Sequence, residues 1–377
     1  AEFEEGTNRI KSGYTILQPR TEVKPTSVNQ SMFTRIFGGD MGLDLYTRAV
    51  SNVYQDLFGE GSYVGKGIYD VDAFVQSLKN KVPNNTLLSH DLFEGLQGRA
   101  GLVTDIVFLE DYPPTYASQV ERRHRWIRGD WQLLPWLFSK VPLKDGKEDS
   151  NPFSIIDKWK IFDNLRRSLL SVFLLLSFMT GWMVFSDSSW VWTLIILFIS
   201  AFPLFNHIVS SISSRLTTGA NPSLFSNLKI AFLRWLFHII FLVYDALIII
   251  DAVITTLVRI FISHSRLLQW KTSAHTIKVF GKERKISTTW KRMIGAPIVS
   301  FVFGIIIFLV NSESIWVSAP LLFLWAFSPQ VAYWISLEIR EGSRVQLSDQ
   351  QIKKLHEIAR KTWLYFEHFI GPDNQWL

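Results

Sequence analysis

The stretch that decides the fold lies between residues 88 and 132. It opens with Leu-Ser-His-Asp-Leu-Phe-Glu-Gly at residues 88–95 and passes through an apolar run at residues 102–109. It closes with Arg-Arg-His-Arg-Trp-Ile-Arg-Gly-Asp-Trp-Gln at residues 122–132. The polar loop before Asp91 and the apolar residues after it predict a helix that begins near this carboxylate. The apolar run predicts a buried strand, and residues 118–131 predict a second helix.

The two polar segments contain the groups needed to transfer a sugar from a nucleotide diphosphate to a hydroxyl. A carboxylate can take the proton of the attacking hydroxyl, and a helix N-terminus favours its ionised form. Guanidinium groups bind a departing pyrophosphate through paired hydrogen bonds, and an indole offers an acceptor sugar a flat face. Helical spacing puts Arg122, Arg125 and Trp126 on one face, whereas Arg123 points elsewhere. A capped helix followed by a solvated basic helix remains an equally good interpretation at this point.

The order of these segments resembles the second half of the catalytic domain of processive, inverting glycosyltransferases of the cellulose-synthase type. In that family an acidic motif ending in Asp supplies the base, and a Gln/Arg-x-x-Arg-Trp motif binds pyrophosphate and acceptor. Ser89-His90-Asp91 occupies the first place and Arg122-Arg123-His124-Arg125-Trp126 the second. The resemblance narrows to the membrane-embedded cyclic β-1,2-glucan synthases through residues 33–40, 46–51, 54–61, 65–74 and 122–132. It covers nearly the whole chain and is most specific between residues 33 and 136.

This resemblance implies an α/β fold, the C-terminal half of a GT-A type glycosyltransferase domain, over residues 1–140. It implies UDP-glucose as donor, a growing β-1,2-glucan as acceptor, and the bacterial inner membrane as location, with the catalytic domain cytoplasmic. Mg²⁺ or Mn²⁺ would assist, with ligands outside this chain, so no metal ligand is assigned here. The expected partners are the lipid bilayer and the remaining parts of the same polypeptide, a nucleotide-binding half and a phosphorylase-like domain. No nucleic acid is expected.

The resemblance also assigns roles to individual side chains. Asp91 is the predicted catalytic base. The predicted pyrophosphate and donor contacts are Arg122, Arg125, His90, Gly65 and Lys66, and the predicted acceptor contacts are Trp126 and Glu94. His90 has a structural alternative, since a catalytic histidine needs a further partner. Cyclic glucan synthases are thought to grow their product on a tyrosine, for which Tyr46 is preferred to Tyr54 because it lies nearer the glycine-rich turn.

An Asp-x-Asp pattern occurs at Asp70-Val71-Asp72 and has two interpretations. Such a pair can hold a divalent cation on a diphosphate. It is followed at once by a helical pattern from Ala73, however, and carboxylates at a helix start satisfy free backbone amides and meet the positive end of the dipole. The sequence therefore favours capping over metal binding at this position.

Composition indicates a membrane enzyme with its apolar residues concentrated in one region. Of the 377 residues 48% are hydrophobic, with 29 Phe and 15 Trp, and the excess lies between residues 165 and 337. Cysteine is absent, which excludes a disulfide framework and a thiolate metal site. The cations behind the net charge of +6 cluster beside the apolar runs, as expected where a protein meets anionic lipid.

The apolar region predicts about four transmembrane helices plus interfacial helices. The four runs are residues 169–185, 190–205, 294–310 and 315–337. The short turns within each pair carry acid and no Lys or Arg, so both hairpins are predicted to begin and end in the cytoplasm. Residues 141–164 are predicted to be a linker, and residues 338–377 a cytoplasmic helical linker toward a following domain.

Residues 228–263 predict one long interfacial helix, because they carry a single polar stripe that includes Asp245. Asp251 falls off this stripe, so a bend or a local partner is expected near it. The alternative makes Asp245 and Asp251 part of an ion or glycan path.

Two other functions stay open. A processive synthase that makes a linear β-glycan and couples its synthesis to export would share every motif from Asp91 to Trp126. A non-catalytic membrane scaffold or transporter would explain the apolar half of the chain but not the carboxylate and Arg-x-x-Arg-Trp arrangement.

Overall fold

The computed structural model describes most of the chain in two compact units. The described residues are 1–4, 8–38, 53–88, 91–144, 147–206, 208–209, 213, 224–269, 285–339 and 347–372. The large unit is Ala1–Glu338 and the small unit is Ile339–Leu377.

A three-stranded sheet lies beside the stretch that contains Asp91. Its strands are β3 (Ile16–Val23), β4 (Ile68–Tyr69) and β5 (Ala100–Glu110), in the order β4-β3-β5. Strands β3 and β5 are parallel, whereas β3 and β4 are antiparallel. A parallel pair requires a long crossover connection, as in α/β proteins, and here the connection contains helices. The strand predicted at residues 102–109 is confirmed as part of β5, and the GT-A assignment stays a prediction.

The second half of β5 differs from the fully buried strand that its apolar sequence predicts. Ala100 is buried, but Ile106 is 44% exposed and Leu109 is 54% exposed. Strand β5 is an edge strand, so only one of its sides is hydrogen-bonded within the described sheet. The prediction of burial is wrong for these residues, because an apolar run alone does not report how many neighbours a strand has.

Short helices and hairpins surround this sheet. The remaining strands are β1 (Glu2–Phe3), β2 (Ile10–Ser12), β6 (Lys140–Pro142) and β7 (Glu148–Ser150), and the helices are α1 (Pro25–Val28), α2 (Met32–Phe37), α3 (Val53–Phe58), α4 (Val71–Leu78), α5 (Asp91–Gly98), α6 (Tyr116–Gln132) and α7 (Ile155–Ser168). A 3₁₀ turn at Leu134–Leu137 follows α6. The segment predicted to be a linker, residues 141–164, thus contains β7 and most of α7.

Helix α6 begins where the sequence provides a strong start signal. Thr115 accepts a hydrogen bond from the Ser118 backbone N–H, and the Ser118 hydroxyl lies within hydrogen-bond distance of the Thr115 backbone N–H, so the two form a capping box. Pro113 and Pro114 precede it and disfavour a helical backbone before the cap. The helix predicted at residues 118–131 is confirmed with slightly wider bounds.

The described residues of the apolar half of the chain are mainly helical. The helices are α8 (Leu170–Val184), α9 (Ser189–Ser200), α10 (Leu224–Val258), α11 (Ile286–Met293), α12 (Gly295–Val310) and α13 (Ile315–Ile335). One-turn 3₁₀ segments form the turns of the two hairpins at the predicted positions. Ser186–Ser188 joins α8 to α9, and Ser312–Ser314 joins α12 to α13. A π-helical turn at Arg259–Ser263 continues α10.

Two described helices are long and apolar enough to cross a membrane, Leu228–Ser263 and Ser312–Ile335. The number rises to four if two bent pairs each form one span, α7 with α8 at 48° and α11 with α12 at 50°. This total of four agrees with the number of predicted crossings, but the helices that make up the total are not the same as the predicted ones. By length and hydropathy, the segment predicted to be interfacial qualifies as a span, whereas α9 is a shorter apolar helix.

Helix α10 lies between the membrane hairpins and the sheet-containing part of the large unit. It packs against α8, α12 and α13 and also against α2 and α6. Its apolar neighbours on the hairpins form a core around Phe178, Trp182 and Trp325, all fully buried. A second core joins Phe33 and Tyr116 to Phe241 of α10. One hydrophobic layer thus continues from the hairpins to the base of α6.

The small unit contains α14 (Asp349–Phe369), described here by itself. Ser348 caps it through a capping box with Gln351, as the Leu-Ser-Asp-Gln-Gln sequence predicts. None of its residues is buried.

Helix α4 tests the two interpretations of the Asp-x-Asp pattern. Asp70 is the N-cap residue, and its side chain accepts a hydrogen bond of 3.2 Å from the Ala73 backbone N–H. Capping is therefore confirmed for Asp70. Asp72 lies in the first turn, where a negative charge meets the positive end of the helix dipole.

Replacement of Asp70 by Asn should leave both stability and activity close to wild type, because Asn caps helices as well as Asp does. Asp70→Ala should lower the free energy of unfolding by about 1 kcal/mol through loss of the cap. Thermal unfolding and transfer activity of the purified membrane protein would measure both effects. An Asp70→Asn variant that folds normally but loses all activity would show that the Asp70 carboxylate has a role beyond capping, such as metal binding.

Candidate functional site

One cleft brings together residues from six separate segments of the large unit. Its walls are the end of β3, the loop before β4, the start of α5, the end of β5, the middle of α6 and one side chain of α7. The cavity measures about 680 Å³, within the roughly 300–1,000 Å³ typical of small-molecule sites. The predicted site residues that line it are Gly65, Lys66, Asp91, Arg122, Arg125 and Trp126.

Asp91 is the first residue of α5, and its carboxylate faces the cleft. The side chain is half-buried, and the N-terminal end of the helix favours its negative charge. Phe93, two residues on, is fully buried against Trp136 and Phe153 and fixes this end of α5. A carboxylate held in this way is placed to accept a proton from a group bound in the cleft.

Gly65 packs directly against the Asp91 carboxylate. Its backbone has a φ of +83°, which favours glycine, and a Cβ atom there would lie 2.7 Å from Asp91 Oδ1. Both facts require glycine at this position. The close approach restricts the carboxylate on one side.

Lys66 faces the cleft and forms an ion pair with Glu110 at the end of β5. Burial lowers the pKa of the Lys66 ammonium, and the nearby charge of Arg122 lowers it further, whereas Asp91 opposes this shift. The ammonium thus lies between a carboxylate that stabilises its charge and a guanidinium that repels it. An anionic ligand in the cleft would relieve that repulsion.

Arg122 is held between two aromatic rings. Its Cζ atom lies 4.7 Å from the Trp126 ring centroid and 5.1 Å from the Tyr112 ring centroid, and it donates a 2.7 Å hydrogen bond to Gln119 Oε1. Burial lowers its pKa to about 10. Its Nε is buried with no hydrogen-bond partner, and no carboxylate lies at ion-pair distance, among the residues described. A buried cation without a counter-charge is the state that an incoming anion stabilises.

Arg125 and Trp126 complete the cleft face of α6. Burial lowers the pKa of the Arg125 guanidinium, and the charge of Asp91 opposes this shift, so the two groups interact across the cleft. The Arg122 guanidinium covers one face of the Trp126 indole. A sugar ring that stacks on this indole would use its other face.

Glu94 lies one turn after Asp91 on α5 and is not among the described residues that line the cleft. Its charge acts on a tyrosine pair beside the cleft. The Tyr63 and Tyr69 hydroxyls are hydrogen-bonded to each other. Burial is the main cause that raises the pKa of both, and the negative charges of Glu94 and Asp91 add to it.

Two predicted site residues lie outside the described residues. They are His90 in the donor-contact set and Tyr46, the candidate attachment residue. The other attachment candidate, Tyr54, lies on α3, where Lys160 Nζ is 5.0 Å from its ring centroid.

Sequence reasoning missed several residues that line the cleft. Tyr63, Glu110, Asp130 and Asn164 contribute side chains to its wall. Asn164 also donates a 3.3 Å hydrogen bond to Asp130 Oδ1, which links α7 to α6. Asp130 stands within the Arg-Gly-Asp-Trp-Gln end of the motif, which was a usable signal. Asn164 belongs to an ordinary amphipathic helix, and nothing local marks it.

The opposite face of α6 binds the apolar helix α10. Arg123 forms a two-point ion pair with Asp245, with 3.0 Å between Arg123 Nη1 and Asp245 Oδ2. Asp245 stabilises the Arg123 charge and raises its pKa, although burial acts in the opposite direction. His124 Nε2 lies 2.9 Å from Asp251 Oδ2, which is the local partner expected for that residue. The spacing argument is confirmed, because Arg123 points away from the face of Arg122.

The end of α6 also holds the loop that leads to Asp91. Gln132 accepts a 2.6 Å hydrogen bond from the Leu88 backbone N–H and donates one of 3.1 Å to the Leu267 carbonyl. Arg128 donates to the Leu267 and Gln269 carbonyls. A single helix thus contacts the loop before the carboxylate, the cleft and the segment after α10.

The acidic side chains of the cleft do not form a metal site in the part of the chain that the structure describes. No group of three or more His, Asp or Glu side chains there is arranged to hold a metal ion. Asp70 of the Asp-x-Asp pattern caps α4 instead. No metal ligand is assigned among the described residues.

Similarity to known proteins agrees with the motifs. No protein-family model matches this chain. The chain is 34% identical over 377 residues to cyclic beta-(1,2)-glucan synthase NdvB of Rhizobium meliloti (strain 1021). The match covers 98% of this chain and 13% of that relative, so the chain spans a small part of the relative's length. The resemblance to cyclic glucan synthases that the motifs indicated is thereby confirmed.

The contact between Gly65 and Asp91 can be tested with a matched pair of glycines. Gly65→Ala adds a Cβ that must displace the Asp91 carboxylate, and we expect transfer activity to fall by about 10²-fold, the scale seen for small misplacements of catalytic groups. Gly59 also has a positive φ, of +66°, but a Cβ there would meet only the end of Arg99 at 3.3 Å.

Gly59→Ala therefore carries the same backbone strain without the clash and serves as the control. Both variants should lose similar thermal stability, measured by the unfolding midpoint. Equal activity of the two variants would show that the Gly65 contact does not matter for Asp91.

Proposed function

We propose that this chain forms part of an inverting, membrane-bound glucosyltransferase that builds β-1,2-glucan from UDP-glucose. The observation that carries the proposal is the single cleft shared by Asp91, Arg122, Arg125 and Trp126. A general base, two guanidinium groups and an indole are the groups that sugar transfer from a nucleoside diphosphate needs. The name of the similar synthase supplies the β-1,2-glucan chemistry.

In the proposed reaction Asp91 acts as general base. It accepts the proton of the acceptor 2-hydroxyl, and the oxygen forms a bond to C1 of the donor glucose. The bond from C1 to the diphosphate oxygen breaks on the opposite side, and UDP leaves with the electron pair. Attack opposite the leaving group inverts the configuration at C1. The position of Asp91 at the start of α5 supports this role, because it stabilises the ionised carboxylate that a base requires.

The cations of the cleft stabilise the charge that develops on the leaving diphosphate. Arg122 and Arg125 present guanidinium groups from one face of α6, and Lys66 adds an ammonium from the loop before β4. Preorganised donors of this kind contribute ~2.7–4 kcal/mol each to transition-state stabilisation. The lowered pKa values of Arg122 and Lys66 support the role, since both groups gain when an anion replaces lost solvation.

The acceptor glucan would lie on the other side of the cleft. Trp126 offers the ring face that Arg122 leaves uncovered, and Glu94 lies one turn beyond the base. Indole faces and carboxylates are common partners of sugar rings and hydroxyls, respectively. We assign Trp126 to acceptor orientation, and Glu94 to a more distant contact, because Glu94 is not among the described cleft-lining residues.

The proposal includes a divalent cation, Mg²⁺ or Mn²⁺, whose ligands would lie outside this chain. Such a cation would neutralise part of the diphosphate charge when bound. The base, the leaving-group contacts and the acceptor face described above are contributed by residues of this chain. The nucleotide-binding half and the phosphorylase-like domain are likewise proposed as other parts of the same polypeptide.

The proposed location is the bacterial inner membrane with the cleft on the cytoplasmic side. The candidate membrane helices support a membrane protein. Arg166 and Arg167 end α7, and Lys291 and Arg292 end α11, so cations flank the entry to both hairpins. This distribution supports a cytoplasmic start for each hairpin.

Asp91→Asn tests the base directly. The amide cannot accept the proton, so we expect glucose transfer to fall at least about 10³-fold, while UDP affinity stays within about threefold of wild type. Radiolabelled transfer by the full-length polypeptide and calorimetric UDP binding are the two measurements. Asp105→Asn, an exposed change on β5, is the control. Retained turnover in Asp91→Asn would remove Asp91 from this role.

Tyr46 as the attachment residue is a separate hypothesis. A phenol oxygen can be deprotonated by the same base that serves a sugar hydroxyl, so Tyr46 could accept the first glucose. We expect mass spectrometry of the digested enzyme to find glucan-modified peptides that contain Tyr46. Tyr46→Phe should abolish the modification, whereas Tyr54→Phe should retain it. Normal product from intact Tyr46→Phe enzyme would refute the hypothesis.

A further inference from the structure

The cleft helix α6 is anchored from behind by a buried carboxylate on the apolar helix α10. The Asp245 side chain is only 5% exposed. Arg123 contacts both of its oxygens, and the Tyr116 hydroxyl donates a 2.6 Å hydrogen bond to Oδ1. None of these groups faces the cleft, so the reaction proposed above does not use them directly.

This contact fixes the rotation of α6 about its own axis. A two-point guanidinium–carboxylate pair defines a plane, unlike a single-point contact. Tyr116 and Arg123 are seven residues apart, about two turns, so they lie on the same face and bind the same carboxylate. Arg122 and Arg125 leave the helix on another face at fixed angles from Arg123. Any rotation that moves Arg123 therefore moves both cleft guanidiniums.

The anchor is costly to release, because α10 is an apolar helix. A carboxylate buried among apolar side chains without a partner is strongly unfavourable, and so is a buried guanidinium. The Arg123 side chain is 32% exposed, so withdrawal of α6 from α10 would leave mainly the Asp245 carboxylate buried without its cation. The main effect of the pair is therefore to restrict α6 to one orientation. Its effect on overall stability is the lesser one.

We propose that Asp245 is a positioning residue that acts through Arg123 to hold Arg122 and Arg125 where they bind the diphosphate of the nucleotide. The identity of this ligand rests on the proposed function, whereas the anchoring of α6 does not. The apolar helix of the membrane region then determines how well the cleft binds its nucleotide. In this proposal Asp245 does not form part of an ion path or a glycan path.

Asp251 provides a matched control on the same helix. It also bonds to α6, through His124, but its side chain is 67% exposed. Water can replace that partner, so removal of its charge leaves no buried group unsatisfied. The same chemical change at the two positions therefore separates a buried anchor from an exposed contact.

The experiment compares Asp245→Asn with Asp251→Asn in the full-length polypeptide, purified in membrane mimetic. We expect Asp245→Asn to weaken UDP binding by about tenfold, and Asp251→Asn by less than about twofold. Amide hydrogen exchange of residues 116–132 should become faster in Asp245→Asn only. Both measurements are made well below the unfolding midpoint of each variant, so that a general loss of stability does not contribute.

A double variant, Arg123→Gln with Asp245→Asn, keeps the inference testable if the single variant folds poorly. Two amides can hydrogen-bond across the same contact without buried charge, so part of the lost UDP affinity should return. Unchanged UDP binding and exchange in a folded Asp245→Asn variant would overturn the inference, and so would equal effects of Asp251→Asn. If the wild type binds no UDP, the proposed function fails, and hydrogen exchange alone then decides whether Asp245 anchors α6.

Discussion

The ion pair between Arg123 and Asp245 is the constraint on which the geometry of the cleft depends. It joins a helix with mainly polar residues to a helix with mainly apolar ones, through groups that neither helix can bury alone. The two faces of helix α6 therefore have different roles. One face fixes it to the membrane region, and the other presents Arg122, Arg125 and Trp126 to the cavity. At the C-terminal end of α6, Gln132 accepts a hydrogen bond from the backbone N–H of Leu88, three residues before Asp91.

The electrostatics of the cleft distinguish a ligand site from a structural ion-pair network. In a structural ion pair the cation has a carboxylate partner, as Arg123 has in Asp245. Arg122 instead lies between two aromatic rings with no carboxylate at ion-pair distance among the described residues, and burial lowers its pKa. This arrangement costs free energy that an anion would return on binding. A non-catalytic scaffold gives no reason to maintain such a cost.

Much of the secondary structure could be predicted because its signals are local. The capping residues of α6, the cap at Asp70 and the short acidic turns of both hairpins each depend on a few neighbouring residues. Exposure on β5 could not be predicted in this way, because it depends on whether another element covers the strand. The long helix α10 was predicted as one helix, but its polar stripe contacts protein: Arg234 donates to the Ile36 carbonyl and Asp245 binds α6.

The sequence by itself determined which groups are available and on which helix face each one lies, since helical spacing fixes that without reference to the fold. It thus separated Arg123 from Arg122 and Arg125 and put Asp91 at a helix start. Only the tertiary structure decided that Asp91, Lys66 and Trp126 share one cavity, that Gly65 touches the carboxylate, and that Asp245 is the partner of Arg123. These contacts join residues up to 122 positions apart, and no local pattern encodes which distant partner a buried charge will meet.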